Sequence, residues 1–119
     1  MKVNLLFTLL LCSLLKPLHA QLKYDWLTTS QGLSQGYIHD IIQDRDGFMW
    51  FGTKDGLNRY DGYTFKEYTY NIYDPNSISN NTVHHLYEDS KGRIWAITDN
   101  GINIYDKNGL LIRTIEDSP

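Results

Sequence analysis

The sequence predicts an all-β protein: two four-stranded antiparallel blades of an incomplete β-propeller, an N-terminal strand before them, and a signal-peptide helix ahead of that. Three observations carry this. First, residues 33–61 (LSQGYIHDIIQDRDGFMWFGTKDGLNRYD) and 78–106 (ISNNTVHHLYEDSKGRIWAITDNGINIYD) align without a gap at an offset of 45, and ten of the 29 positions are identical. A period of about 40–50 residues carrying several strands is that of a propeller blade. Second, Asp-Gly stands between apolar runs at 46–47, 55–56 and 61–62, a strong short-range hairpin signal because glycine takes positive φ without steric cost. Third, Phe48-Met49-Trp50-Phe51 is apolar on both alternating faces, as expected of a sheet covered on both sides. Two blades cannot close a ring, so the expectation is part of a larger propeller.

The elements follow in order. Lys2, the apolar run Leu5–Leu15 and the small residue Ala20 read as a secretory signal peptide over 1–20, cleaved after Ala20. The run is shorter than the roughly 20 residues a membrane span needs. Residues 21–32 hold a strand, Leu22–Thr28, with Leu22, Tyr24 and Trp26 alternating with Lys23 and Asp25. The first blade and its connector occupy 33–77, with strands at Tyr37–Gln43, Phe48–Thr53, Leu57–Tyr60 and Tyr63–Tyr70. Asp74-Pro75-Asn76 supplies turn chemistry in the connector. The second blade occupies 78–119, with strands at Thr82–Glu88, Arg93–Thr98, Ile102–Tyr105 and Leu110–Ile115.

Composition excludes several functions. Beyond residue 20 there is no cysteine, so no disulfide, and nine basic residues face fourteen acidic ones, a net charge of −5. That balance does not suit phosphate backbones, and nucleic acid is not an expected partner. Nucleophile elbows, phosphate loops, CxxC pairs and HExxH helices do not occur, and neither a catalytic residue nor a cofactor is assigned. Asp44 and Asp89, three residues before a turn glycine, are expected to cap backbone N–H groups rather than act as acids or ligands. Trp50 and Trp95 are expected to pack blade on blade rather than stack on sugars. His39, His84 and His85 lack ligand spacing and are expected to be hydrogen-bonded, with no metal. Asn80-Asn81-Thr82 fits a glycosylation sequon by pattern alone. The repeat is defined by Asp44, Gly47, Trp50, Thr53, Gly56, Asn58, Tyr60 and Asp61, matched by Asp89, Gly92, Trp95, Thr98, Gly101, Asn103, Tyr105 and Asp106. The aromatic stretch 68–73 lies outside that pattern, which makes Tyr70 and Tyr73 the candidate ligand contacts.

Gly32-Leu33-Ser34, Gln43-Asp44, Gly47-Phe48-Met49-Trp50-Phe51-Gly52-Thr53 and Asp55-Gly56-Leu57-Asn58-Arg59-Tyr60-Asp61-Gly62 resemble the two-component regulator propeller repeat. The second unit departs from it at Arg93 and at Ile97, where glycine is usual. The resemblance implies the N-terminal part of the periplasmic sensor region of a hybrid histidine kinase anchored in the inner membrane. Such a region recognises oligosaccharide-type ligands from polysaccharide breakdown, with the remaining blades as partners and a homodimer as the full-length state. The kinase itself is absent from this stretch, which is not expected to be an enzyme. Two alternatives stand beside this: a truncated secreted propeller enzyme of glycosidase or lyase type, and a short-repeat scaffold that closes a ring by oligomerising. The Gly-x-x-Trp turn is similar to a sialidase-type Asp-box, but Arg45 and Ser90 stand where that box has its aspartate.

Overall fold

A computed structural model describes residues 22–116; the signal peptide and its cleavage point lie outside the described residues. Eight strands follow a 3₁₀ turn at Thr29–Gln31: β1 Ile38–Gln43, β2 Met49–Thr53, β3 Gly56–Tyr60, β4 Phe65–Tyr68, β5 Val83–Glu88, β6 Ile94–Thr98, β7 Gly101–Tyr105 and β8 Leu111–Ile115. They form two separate meanders, β1-β2-β3-β4 and β5-β6-β7-β8, with every neighbouring pair antiparallel. The expected strands are all present within two residues at each end, save one.

That exception is Leu22–Thr28, which belongs to neither sheet. Leu22, Tyr24 and Trp26 are each more than three-quarters exposed. Alternation marks a segment with one apolar face; it cannot supply the neighbouring ladder that makes the segment a strand. The chain then enters the first blade through Thr28, whose hydroxyl caps the 3₁₀ turn by accepting from the Ser30 N–H at 3.2 Å.

Hairpin geometry follows from the turn glycines. At Gly101 (φ 107°) the backbone is left-handed, and an added Cβ would collide with the carbonyl oxygen of Ile115 on the outer strand. Only glycine satisfies both conditions. The innermost strands carry one irregularity each, at the same place: the β1–β2 register shifts between Ile38 and Asp40, and the β5–β6 register between Val83 and His85. His39 and His84 sit in these shifts, where a bulge re-aims a side chain out of the regular ladder.

The core lies between the sheets. Trp50 and Leu57 of blade one pack against Val83, Leu86, Ile94, Ala96 and Tyr105 of blade two, with Ile78 at the start of that blade. The Trp50 ring stacks on Tyr68 at 5.9 Å and meets Tyr105 at 6.0 Å. Alternation along β6 then sends Trp95 and Ile97 to the opposite face, away from blade one.

Candidate functional site

Every identical residue pair of the repeat has a structural task. The Asp44 carboxylate accepts from the N–H groups of Asp46 and Phe48, both at 3.0 Å, and from the indole Nε1–H of Trp50 at 2.8 Å. Asp89 repeats this with Lys91, Arg93 and Trp95, each at 2.9 Å, and adds the Arg93 guanidinium at 2.6 Å. Asn58 accepts from Ser34 N–H at 3.1 Å and donates to the Ser34 hydroxyl at 2.6 Å; Asn103 holds Ser79 in the same way at 3.1 and 2.8 Å. The Thr53 and Thr98 hydroxyls donate to the Gly56 and Gly101 carbonyls at 2.9 Å. Asp61 and Asp106 cap the outer hairpins, accepting from Tyr63, Thr64, Asn108 and Leu110 N–H groups. The carboxylates and Trp50 thus sit where the sequence places them, whereas Trp95 does not pack blade on blade, because its face of β6 is turned away from blade one. The link between carboxylate and tryptophan was missed. Its signal was available: an aspartate six residues before a tryptophan, in both copies.

These bonds have a pH consequence. Desolvation pushes the Asp89 carboxyl up, but the indole of Trp95, the backbone N–H groups and the Arg93 guanidinium outweigh it and hold the group well below the usual carboxylate range. The backbone donors Thr64 and Tyr63 lower Asp61 likewise. A depressed folded value means stability that is complete above the unfolded pKa of about 3.9 and is lost as pH falls through the lower folded value. The urea midpoint is therefore expected to drop on acidification below about pH 4, and more steeply for the native chain than for Asp89→Asn. Equal slopes in a titration from pH 7 downward would show that Asp89 carries no such linkage.

The seam between the blades is polar at its margins. Arg45 donates to the Asp89 and Ser90 carbonyls at 2.9 and 3.2 Å. Arg59 lies over the Phe48 ring at 3.7 Å and donates to the carbonyls of Lys107 and Asn108. The Tyr68 hydroxyl donates to the Gly109 carbonyl at 2.7 Å, and burial pushes its pKa up to about 12, so it remains a donor. On the inner strands, the Asp40 carboxylate accepts from Leu86 N–H at 2.8 Å and the His39 ring N–H meets the Val83 carbonyl at 2.9 Å. The His39 and His84 rings stack at 5.1 Å, and His84 pairs with Asp99. No cluster of three or more metal-ligating groups occurs among the described residues.

What the repeat leaves free is the connector between the blades. Ser77 pins it: its hydroxyl accepts from Asn71 N–H at 3.0 Å and bonds to the Asp74 carbonyl at 2.8 Å, while Tyr70 N–H donates to Asn81 at 2.7 Å. Asn81, the middle residue of the glycosylation pattern, is thereby committed to the loop, and the acceptor Asn80 takes the Thr82 N–H at 2.8 Å. A cleft of about 240 Å³ opens here, lined by Tyr70, Asn71, Asp74, Ser77, Asn100 and Glu116 among others. Tyr70 is half-exposed at its wall. Tyr73 is 93% exposed and lies outside it. The structure thus separates the two candidate tyrosines.

Residues 32–55 and 77–100 match the family model of the two component regulator propeller. Histidine kinase P4 of Formosa agariphila is 45% identical over 75 residues, which is 63% of this chain and 5% of that protein. The extracellular domain of a hybrid two component system from B. thetaiotaomicron is 33% identical with a TM-score of 0.67, covering 74% of this chain and 13% of that one. The extracellular domain of a one component system from the same organism is 30% identical with a TM-score of 0.59, covering 77% and 14%. The chain therefore spans a small part of each relative. No helix among the described residues is long and apolar enough to cross a membrane. The matched segments hold the first two strands of each blade with the paired aspartates, tryptophans and threonines, and on this ground the chain carries two copies of the two component regulator propeller repeat.

Proposed function

We propose that this stretch is the N-terminal part of a periplasmic ligand-sensing propeller in a two-component sensor, that it binds rather than catalyses, and that its ligand is an oligosaccharide released from a polysaccharide. The single observation behind the reading is the division of labour along the chain. All ten identical residue pairs are taken up by turns, hydrogen-bond frames or seam contacts, so ligand recognition falls to positions that differ between the copies. The connector at 69–77 lies wholly outside the repeat. Its hydroxyls, amides and carboxylates, set beside the Tyr70 ring, suit a polyhydroxylated ligand that stacks one apolar face on an aromatic. Signalling then requires that the ligand prefer one of two arrangements of the full-length dimer.

Calorimetry on the complete sensor protein with oligosaccharides of different linkage tests this. A binder should emerge, and Tyr70→Ala should weaken it about tenfold without lowering the melting temperature. Absence of any binder removes the ligand class. A binder indifferent to Tyr70→Ala and Tyr73→Ala moves the site elsewhere.

A further inference from the structure

Blade one shows what covers each position of its seam face, and blade two carries the same face with no sheet over it, Ile97 and Ile115 being exposed there and Ile104 buried by its own blade. Trp50, Gly52 and Leu57 correspond to Trp95, Ile97 and Ile102. Strand pairing makes Ile104 the counterpart of Arg59 and Ile115 the counterpart of Tyr68. The second face is thus more apolar than the first. It has isoleucine at the three places where seam one has its glycine and the two side chains, Arg59 and Tyr68, that hold the Lys107–Gly109 carbonyls. Ile97, Ile102 and Ile115 line an open hollow of about 300 Å³ on it.

Gly52 is the point of closest approach in the first seam. A Cβ at Gly52 would stand 3.0 Å from the Val83 Cγ1 and 3.2 Å from the Val83 carbonyl oxygen. There is room for a hydrogen and for little else, since packed interiors tolerate no added methylene without displacement. Ile97 sets a four-carbon side chain at the same place.

We infer that the exposed face of blade two is the docking surface for a further four-stranded sheet that is not a copy of blade two: where blade two has Val83, the inner strand of that sheet carries alanine or glycine. The inference rests on the proposed propeller reading and adds a rule for blade order. A sheet bearing valine at that position fits over Gly52 and is rejected by Ile97. A second copy of this chain is rejected as well, because its corresponding residue is Ile38, larger than valine. Size mismatch of this kind is a repulsive element that fixes which surface follows which.

The test extends the chain with a copy of residues 70–115 joined after Glu116. Trp26 of the host and the tryptophan of the added copy are changed to phenylalanine, which leaves buried Trp50 and the reporter Trp95. Acrylamide quenching of Trp95 is then compared in three extended proteins: the unmodified copy, Val83→Ala within the copy, and Ile97→Gly in the host. The unmodified copy should leave Trp95 as open as in the chain alone. Either substitution should reduce quenching several-fold and raise the melting temperature. Equal protection by the unmodified copy overturns the size rule but keeps a sheet over this face. Absence of protection in all three overturns the covering sheet, and with it the propeller reading. Protection that grows with concentration in the unextended chain makes a second copy the occupant and overturns the inference.

Discussion

Trp50→Ala is expected to cost about 3–5 kcal/mol, the range for truncating a large buried aromatic. A small domain has about 5–15 kcal/mol in total, so the variant should lose a large part of its native population at room temperature. The reasons are specific to this side chain. Trp50 is fully buried, its ring packs against Tyr68 of its own blade and Tyr105 of the next, which also touch each other, and its indole N–H is held by Asp44. Removing it opens a void at the centre of the only seam among the described residues. Trp95 occupies the identical position of the second repeat and keeps the same indole bond, to Asp89. Its face, however, points away from blade one and is partly open. Trp95→Ala is therefore expected to cost clearly less. Urea unfolding of the two variants checks the difference. Equal losses would mean that the tryptophans stabilise their own hairpins and that the seam adds little.

That contrast shows what could be read from the residues and what could not. The hairpins were legible because each one is local: an apolar run, an Asp-Gly, Asn-Gly or, at 91–92, Lys-Gly turn, another apolar run, with glycine supplying a conformation no other residue takes as readily. The pairing of sheets was legible at the level of the 45-residue echo, which identifies equivalent positions but not their surroundings. Trp50 and Trp95 look alike in sequence and differ in burial because only one has a neighbouring sheet. The segment Leu22–Thr28 failed for the same reason: a strand is a relation between two segments, and the alternation of Leu22, Tyr24 and Trp26 describes only one of them. In the outer strands the equivalence drifts. Leu57 pairs with Tyr68, whereas Ile102 pairs with Ile115, because the last hairpin of blade two is longer and its register shifts at Tyr105. Offset alone would match Tyr68 to Arg113. The candidate site inverts the usual signal. Residues that recur are the ones consumed by structure, and Tyr70 gains its interest from having no counterpart.

Asp44→Ala is the second large effect expected, about 3 kcal/mol, since hydrogen bonds to a charged acceptor contribute about 1.5–3 kcal/mol each and do not add in full. The carboxylate is nearly buried, and its loss strands three donors at once: two backbone N–H groups of the turn and the Trp50 indole. Asp44→Asn keeps one acceptor oxygen but turns an amide N–H toward donors, so it should recover part of the loss and not all of it. The decisive measurement is a double-mutant cycle with Trp50→Phe, which removes the indole N–H while keeping an aromatic ring in the seam. If the Asp44–Trp50 bond ties the turn to the core, Asp44→Ala should cost about 1–3 kcal/mol less in the Trp50→Phe background than in the native one. Additive costs would instead assign the aspartate to its turn alone. The recurrence of aspartate and tryptophan six residues apart would then reflect two independent requirements of the blade, with no mechanical link between hairpin and seam.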